Sequence, residues 1–341
     1  MIQTTLQKII AGTDLSRSEA RDLMDQMMTG TFTTAQIAAL LTALRMKGEA
    51  VSELVGFAQS MRTHALRVHH DYPMAVDTCG TGGDGGKTFN ISTASAFVAA
   101  AAGVPVAKHG NRAISSKSGS ADVLEALGMN IQLNADEAQA LLRHTGLCFL
   151  FAPLFHQSMR HVMPTRKEMG IRTCFNLLGP MVNPAGVNTQ LLGVYDIALT
   201  EQVALVLREL GVDRAIVVAG YDGLDEISIS APTRISEVKE GKVFSYDITP
   251  EQFGIDRTPV AAIEGGSAEV NARIIRKIVN NEKGAMQDVV VLNAAATIYV
   301  AGHANDLAQG VKMAREAIHS GKAKQKLTDV INGSQGVRDV S

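Results

Sequence analysis

The chain has 341 residues, of which 46% are hydrophobic and 19% charged, and its formal net charge is −2. This composition indicates an ordinary soluble enzyme with one large and one smaller domain, and the charge gives no global field that would favour nucleic acid or an anionic membrane. The sequence shows no signal peptide and no apolar span of about 18 residues, and its three cysteines are too scattered for a disulfide framework or a zinc site. A cytoplasmic protein is therefore expected.

The N-terminal region is predicted to be helical. Ser16 and Glu19 form a capping-box pattern ahead of an apolar run, and Thr33 and Gln36 repeat it. A third amphipathic run covers residues 51–64. The apolar faces of these helices favour a core or a subunit contact over a cofactor site.

From about residue 73 the pattern alternates between strand, loop and helix, which predicts a largely parallel sheet. Residues 234–246 read as a hairpin with Glu240-Gly241 at its turn, and further helices are expected after Ser267. Helices are also expected at Thr93–Ala102 and Ala198–Leu210. The predicted strands are Met74–Val76, Val104–Ala107, Cys148–Phe151, Gln190–Tyr195 and Arg214–Ala219.

The most informative segment, residues 77–93, follows the first of these strands. Glycines accept positive φ and allow a ligand to approach the main chain, and successive N–H groups in such a bend can bind an anion. The N-terminus of the following helix would add positive charge at the same place. A phosphate site is therefore predicted here. The glycines are Gly80, Gly82, Gly83, Gly85 and Gly86.

Two common phosphate motifs nearly fit this segment. Gly80, Gly82 and Gly85 match G-x-G-x-x-G, but a dinucleotide site needs an acidic residue about 20 positions later, and residues 99–108 contain none. Gly86-Lys87-Thr88 resembles the end of a Walker A loop, but the spacing is off by one because Thr81 stands where the first glycine belongs. A glycine-rich turn without a ligand is the remaining alternative.

A second polar loop, residues 108–120 (KHGNRAISSKSGS), follows the next predicted strand and precedes a helix expected from Ser120 to Gly128. Its cations can neutralise phosphates and its hydroxyls can donate to phosphate oxygens. A solvated basic loop is the alternative. Loops that follow parallel strands lie together at the carboxyl edge of the sheet, so the two loops are expected to be neighbours.

These motifs resemble those of the anthranilate phosphoribosyltransferase family, in the family's order and over nearly the whole chain. The resemblance implies an α/β fold of the nucleoside phosphorylase/phosphoribosyltransferase type. The motifs are GTGGD at 80–84, NIST at 90–93, KHGNR at 108–112, GSADVLEALG at 119–128, GIRT at 170–173, FNLLGP at 175–180 and GLDEIS at 223–228.

The resemblance implies a helical domain at 1–72, with a contribution from about 165–185, and an α/β domain with a mostly parallel central sheet at 73–341. The active site would lie between them. The implied reaction transfers the phosphoribosyl group of phosphoribosyl pyrophosphate (PRPP) to anthranilate, with Mg²⁺, in tryptophan biosynthesis. A homodimer that associates through the helical domain is also implied, with no nucleic-acid or membrane partner.

The family's site residues carry over by position. Gly80, Asn111 and Arg166 match anthranilate contacts, and Arg172 is assigned to structure. The implied metal ligands are Ser92, Asp225 and Glu226. The implied PRPP contacts are Gly80, Gly83, Asp84, Thr88, Asn90, Ile91, Ser92, Thr93, Lys108, His109, Gly110, Asn111, Arg112, Ala113, Ile114, Ser115, Ser116 and Ser120.

Physical arguments leave several of these roles open. Neighbouring carboxylates on extended backbone point to opposite sides, so Asp225 and Glu226 would serve two ions, or one of them would act through water. An acidic turn is the alternative for the pair, and helix capping is the alternative for Thr88 and Thr93. No catalytic residue is firmly assigned, and His109 is a hypothetical acceptor of the amine proton.

Two other functions remain as alternatives at this stage. A pyrimidine nucleoside phosphorylase shares the implied architecture but carries a different Lys-His-Ser loop. A non-catalytic relative that binds nucleic acid would be expected to have a broad basic surface, which a net charge of −2 disfavours.

Overall fold

The computed structural model describes residues 2–82, 88–113 and 117–336. Within these ranges the chain begins as a helical region, alternates between strands and helices, and ends as helices. The helices are α1 Ile2–Ile10, α2 Arg17–Met28, α3 Thr34–Lys47, α4 Val51–His64, α5 Ile91–Ala101, α6 Ser120–Leu127, α7 Ala135–Thr145, α8 Ala152–Phe155, α9 Met163–Met169, α10 Phe175–Met181, α11 Leu199–Glu209, α12 Ala268–Val279, α13 Ala285–Val300, α14 Leu307–His319 and α15 Lys322–Gly336. The strands are β1 Val76–Gly80, β2 Val106–Gly110, β3 Leu147–Phe151, β4 Thr189–Gly193, β5 Arg214–Gly220, β6 Thr233–Lys239 and β7 Lys242–Ile248.

The N-terminal helices begin where the sequence predicts, because side chains satisfy the amides of their first turns. Ser16 Oγ accepts from Glu19 N at 3.3 Å, and the Glu19 carboxylate accepts from Ser16 N at 2.8 Å. Thr33 and Gln36 form the same reciprocal pair at 3.3 and 2.9 Å. Both predicted capping boxes are confirmed.

The strands form one sheet in the order β3-β2-β1-β4-β5-β6-β7. Neighbours from β3 to β5 are parallel, and β6 and β7 are antiparallel, so the predicted mostly parallel sheet is confirmed. The chain moves away from β1 through β2 and β3, then returns to the opposite side of β1 as β4. β1 and β4 therefore flank the topological switch point, where parallel α/β sheets bind ligands beyond the carboxyl ends of the strands.

Hydrophobic cores cover both faces of this sheet, because successive strand residues point to opposite sides. Leu191 of β4 and Ile216 of β5 join a core that includes α5, α13 and the C-terminal helices. Leu192 and Val217, their neighbours in sequence, join a second core built from the N-terminal helices, α10 and α11.

Segment 163–181 packs against the N-terminal helices, although it is distant in sequence. Helix α9 contacts α3, and α10 contacts α4. Phe175 and Leu178 of α10 are buried in the second core together with Leu44 of α3. This packing supports the expected contribution of residues 165–185 to the helical domain, while the division of the chain at residue 72 stays a prediction.

Two predicted strands are placed too early in the sequence. Met74–Val76 is replaced by Val76–Gly80, and Val104–Ala107 by Val106–Gly110. The polar residues that suggested loops, including Asp77 and Lys108, are instead buried strand residues. β3, β4 and β5 lie within two residues of their predicted bounds, whereas α7 was not predicted.

The predicted hairpin forms from β6 and β7. Its turn residues Glu240 and Gly241 have φ values of 52° and 71°, as the tight turns that join antiparallel strands require. In the described part of the chain, no helix combines the length and the apolar character that a membrane span needs.

Candidate active site

The two polar loops lie together at the carboxyl edge of the sheet. Asn90, at the start of α5, donates from Nδ2 to the Ser118 carbonyl at 3.1 Å, which joins the first loop to the second. Its Oδ1 accepts from Asn271 of α12 at 2.9 Å. Ser120 Oγ donates to the Asn111 carbonyl at 3.2 Å. The structure thus brings Asn90, Asn111 and Ser120 into one region.

Two adjacent carboxylates lie at the switch point. Asp225 Oδ2 accepts from Gly82 N at 2.7 Å, and Glu226 Oε1 accepts from Ser92 N at 3.0 Å. The two carboxylates therefore bond to amides of different segments, the glycine-rich segment and the first turn of α5. Both residues are buried, at 7% and 8% exposure, which excludes the alternative of a solvated acidic turn.

Glycines leave the space that this loop occupies. A Cβ atom on Gly193 of β4 would lie 1.6 Å from the Asp225 carbonyl oxygen, and one on Gly80 of β1 would lie 2.2 Å from Asp225 Oδ2. Gly80 and Gly193 are partners in the ladder, and Thr81 N donates to the Gly193 carbonyl at 2.9 Å. The absence of both side chains lets the Asp225 loop reach the switch point.

Helix α13 stabilises the loop that carries Asp225 and Glu226. Asn293 of α13 is fully buried, and its Oδ1 accepts from Ile227 N at 2.9 Å. Its Nδ2 donates to the Ile227 carbonyl, also at 2.9 Å. Two hydrogen bonds to one residue fix the main chain next to Glu226.

Lys108 connects the strands to the start of α5. Its Nζ donates to the Thr78 carbonyl at 2.5 Å and to Ser92 Oγ at 3.2 Å, and the side chain is almost fully buried. The structure therefore corrects the expectation of a loop at 108–110, because Lys108, His109 and Gly110 complete β2.

The donor set at the switch point fits Mg²⁺. Asp225 and Glu226 supply hard carboxylate oxygens, and the hydroxyl of Ser92 lies on the residue whose amide bonds Glu226. The ranges that the structure describes contain no cluster of three or more His, Cys, Asp or Glu side chains able to hold a metal. An ion here would complete its octahedral shell with substrate oxygens and water, as Mg²⁺ commonly does.

His109 lies in a different environment from that of a titrating loop histidine. Its ring is buried, 5.1 Å from the ring of His156, and the Nε2 atoms of both are buried without a hydrogen bond to any described atom. Burial and the neighbouring His156 lower the pKa of His109 to about 3, and burial lowers the pKa of His156 to about 4. The role of proton acceptor stays a hypothesis, and this low basicity counts against it.

The histidine pair predicts a loss of stability in acid. Unfolded histidine binds a proton near pH 6.5, whereas the folded pair does so only near pH 4 and 3, so folding releases protons in between. The stability that this difference gives is present above pH 6.5 and falls towards pH 3, by up to about 1.4 kcal/mol per pH unit and residue. We expect urea unfolding of His109→Gln to show a weaker dependence on pH between 6.5 and 4.

The exposed His144 provides the control for this measurement. His144→Gln should keep the pH dependence of the original protein. Asp77 acts in the opposite sense, since burial raises its pKa to about 6 and its contribution is lost as pH rises through that value. That contribution is common to the compared proteins and cancels. Identical pH profiles for His109→Gln and His144→Gln would contradict the prediction.

The two candidate arginines lie in different surroundings. The Arg166 guanidinium on α9 lies 5.0 Å from the centre of the Phe175 ring, and burial lowers its pKa. The Arg172 guanidinium stacks 4.2 Å from the centre of the Tyr195 ring. These contacts leave the assigned roles, anthranilate binding for Arg166 and structure for Arg172, as predictions.

Two other predicted PRPP contacts have partners in the protein. Arg112 donates to Asp122 at 3.0 Å and to Glu125 at 2.5 Å, and these two carboxylates raise its pKa. Thr88 pairs with Glu264 in an isolated β-bridge. The capping alternative is wrong for Thr88 and for Thr93, because Asn90 is the N-cap of α5 and Thr93 lies inside that helix.

Several predicted residues lie outside the described residues. For the other PRPP contacts, the structure places Ile91 and Thr93 in α5 and Ala113 beside the N-terminus of α6, where Ala113 N donates to Asp122 at 2.9 Å. The predictions outside the described ranges are Gly83, Asp84, Ile114, Ser115 and Ser116.

Comparison with known proteins decides the family. A model described as "Glycosyl transferase family, helical bundle domain" matches residues 3–65, and one described as "Glycosyl transferase family, a/b domain" matches residues 72–324. Anthranilate phosphoribosyltransferase from Brevibacillus brevis is 52% identical over 97% of both chains, and that from Symbiobacterium thermophilum is 52% identical over 96% of both. The chain belongs to the anthranilate phosphoribosyltransferase family.

Solved structures of anthranilate phosphoribosyltransferases share its fold. The Thermus thermophilus protein has a TM-score of 0.92 at 41% identity, covering 97% of this chain and 99% of that one. The Saccharomyces cerevisiae protein, solved in complex with PRPP and Mg, has a TM-score of 0.90 at 28% identity over 98% of both chains. The same yeast protein in complex with 4-fluoroanthranilate has a TM-score of 0.88 at 26% identity.

Sequence reasoning missed several residues that shape this anthranilate phosphoribosyltransferase-type site. Gly193 carried no signal beyond being a glycine at a strand end, and Asn293 lies in an apolar run. Asp77, Asn183 and His156 belong to no motif that assigns them a role. The contacts that define these residues join positions far apart in sequence, which local patterns do not report.

Proposed function

We propose that the protein transfers the 5-phosphoribosyl group of PRPP to the amine of anthranilate, giving N-(5-phosphoribosyl)anthranilate and pyrophosphate in tryptophan biosynthesis. The observation that carries this proposal is the buried pair Asp225 and Glu226, each bonded to an amide of the glycine-rich segment or of α5 at the switch point. Identity of 52% over nearly the whole chain to curated anthranilate phosphoribosyltransferases supports the choice of substrates. A nucleoside phosphorylase is not favoured.

The main physical task in this reaction is to stabilise negative charge as pyrophosphate leaves C1 of the ribose. Mg²⁺, held by Asp225, Glu226 and Ser92, would neutralise the diphosphate when bound. Lys108 places a cation beside Ser92, and the N-terminus of α5 supplies a positive dipole at the same edge. An oxocarbenium-like ribose needs no nucleophilic side chain.

The other predicted PRPP and anthranilate contacts are proposed to surround the substrates next to this metal site. Asn90 and Ser120 lie where the two loops meet, and the loops would surround the ribose and phosphates of PRPP. Asn111 and Gly80 would contact anthranilate from the carboxyl edge of the sheet. Gly83, Asp84 and residues 114–116 are proposed as PRPP contacts on the family match alone.

Arg166 is proposed to grip the carboxylate of anthranilate. We expect Arg166→Ala to raise the KM for anthranilate about 10- to 100-fold, since a hydrogen bond between charged groups contributes about 1.5–3 kcal/mol. The KM for PRPP should change little. Steady-state kinetics with each substrate varied in turn would measure the difference.

Arg172→Ala is the matched comparison, because Arg172 is the competing candidate and stacks on Tyr195. This variant should be less stable, but its KM for anthranilate should stay close to that of the unmodified protein. Equal losses for both substrates in Arg166→Ala, or a larger anthranilate-specific loss in Arg172→Ala, would count against the assignment.

The activity itself is tested by following the fluorescence of anthranilate. Its consumption should require both PRPP and Mg²⁺ and should release pyrophosphate, and the protein should not cleave thymidine or uridine with phosphate. Phosphorolysis of a nucleoside without anthranilate consumption would replace this function by that of a nucleoside phosphorylase.

A cytoplasmic homodimer that associates through the helical domain is also proposed. Ile10 at the end of α1 and Met46 near the end of α3 are 70% and 83% exposed, and association through the helical domain would cover apolar side chains of this kind. All three cysteines are free, as expected in a reducing compartment. Light scattering would show a dimer, and Met46→Lys should weaken it.

A further inference from the structure

The ladder between β1 and β2 stops after one pair. The two strands are in register only at Val76↔Val106, although β1 continues to Gly80 and β2 to Gly110. On their other sides, both strands stay paired along their whole length, β1 with β4 and β2 with β3. The ladder between β1 and β2 therefore has a gap towards the edge where the two loops begin.

The next rung of a parallel ladder would join four main-chain groups. Thr78 opposite Lys108 would donate from its N–H to the Ala107 carbonyl and accept at its carbonyl from His109 N. Buried groups of this kind need other partners if the rung is absent. The structure shows partners for three of the four, and all three are side chains.

Two of these side chains belong to Asp77 and Asn183. Asp77 Oδ1 accepts from His109 N at 3.2 Å, and Asn183 Nδ2 donates to the Ala107 carbonyl at 2.8 Å. Asn183 Nδ2 also donates to Asp77 Oδ2 at 2.8 Å, which joins the two side chains into one unit. Both are buried, at 0% and 5% exposure.

The third side chain is that of Lys108, whose ammonium donates to the Thr78 carbonyl and to Ser92 Oγ. Lys108 therefore has two roles: it satisfies one main-chain group of the missing rung, and it contacts the proposed metal ligand Ser92.

We propose that Asp77 and Asn183 are positioning residues for PRPP: they take the place of the missing rung and fix the ends of β1 and β2, so that Gly82 and Asn111, which follow these ends, stand on either side of the bound donor. This inference rests on the proposed function. Neither residue needs to touch the substrate. Without them, the Ala107 carbonyl and the His109 N–H lose their partners, and water enters between the strand ends.

The direct test is Asp77→Asn. The new amide can still accept from His109 N, but its NH₂ group would face the Nδ2 donor of Asn183, so one of the bonds is lost. We expect the KM for PRPP to rise about tenfold, as the loss of residues that orient a site from outside commonly costs, while the KM for anthranilate changes less. A purely structural role would lower stability without separating the two KM values.

Asn183→Ala and Gln190→Ala form a matched pair that remains informative if Asp77→Asn does not fold. Gln190 is also a buried amide that donates to a carbonyl, that of Pro180 at 2.6 Å, but it lies on β4 outside the gap. Both variants should melt at lower temperature, whereas only Asn183→Ala should raise the KM for PRPP. Equal changes in both variants, or none in either, would overturn the proposal.

Hydrogen exchange of the His109 amide gives a readout that does not depend on activity. It should be faster in Asp77→Ala, which removes the acceptor of the His109 N–H, than in the unmodified protein, and unchanged in Gln190→Ala. Unchanged exchange in Asp77→Ala would also refute the proposal. If the unmodified protein neither binds PRPP nor consumes anthranilate, the proposed function is refuted instead, whatever the exchange rates show.

Discussion

Asp225→Asn is expected to raise the Mg²⁺ concentration that gives half-maximal activity by about 10- to 100-fold, a range known even for residues that only support metal ligands. The asparagine side chain can still accept from Gly82 N, as Asp225 does at 2.7 Å, so the loop keeps its place. The substitution removes the negative charge that a hard cation requires. A magnesium titration of initial rates at saturating substrates measures the effect.

Asp222→Asn is the matched control, three residues earlier in the same loop. Asp222 accepts from Ser228 Oγ at 2.5 Å and from Leu224 N at 3.4 Å, so its role is to stabilise the turn. Its variant should unfold more easily but keep the magnesium dependence of the original protein. An unchanged titration for Asp225→Asn, or an equal shift in both variants, would remove Asp225 from the metal site.

Gly193→Ala is expected to lower kcat/KM about 100-fold, because misplacement of a site by about 1 Å can cost that much. The added Cβ would lie 1.6 Å from the Asp225 carbonyl oxygen, closer than real Cβ atoms are found to any neighbour. The Asp225 main chain would have to leave the switch point. Kinetics at high Mg²⁺, with a folded protein confirmed by circular dichroism, would measure the loss.

Gly80→Ala provides a comparison, because its added Cβ would clash with the Asp225 side chain, whereas that of Gly193→Ala would clash with the Asp225 main chain. At Gly80 the nearest atom to an added Cβ is Asp225 Oδ2, at 2.2 Å. In an Asp225→Ala background, the stability cost of Gly80→Ala should therefore fall, while that of Gly193→Ala should persist. A double-mutant cycle from urea unfolding gives these coupling energies. Normal kcat/KM in Gly193→Ala would show that the Asp225 loop does not need its observed position.

The sequence was sufficient for features that depend on local patterns. Capping pairs such as Thr33 and Gln36 specify helix starts within four residues, and strand–loop–helix alternation predicts the parallel sheet. The proximity of the two polar loops followed from topology, since both leave parallel strands at the same edge. The contact between Asn90 and Ser118 confirms that expectation.

The remaining features depend on partners that are remote in the chain. The segments that begin at Asp77 and Lys108 are predicted as loops, but both residues are buried in strands, where Asn183 and the Thr78 carbonyl satisfy them. His109 was expected to titrate near neutral pH, whereas burial lowers its pKa to about 3. Desolvation of this kind becomes visible only when the surrounding packing is known.

The two hydrogen bonds between Asn293 and Ile227 have a consequence for the order in which the protein is synthesised and folds. The carboxylate loop is synthesised well before α13, and Asn90 at the other side of the cleft also relies on a late residue, Asn271. A nascent chain released before α12 would lack both supports, even though every strand of the sheet was complete. Truncated products should therefore be inert towards substrates rather than partly active, and the finished site should appear in one late step of maturation.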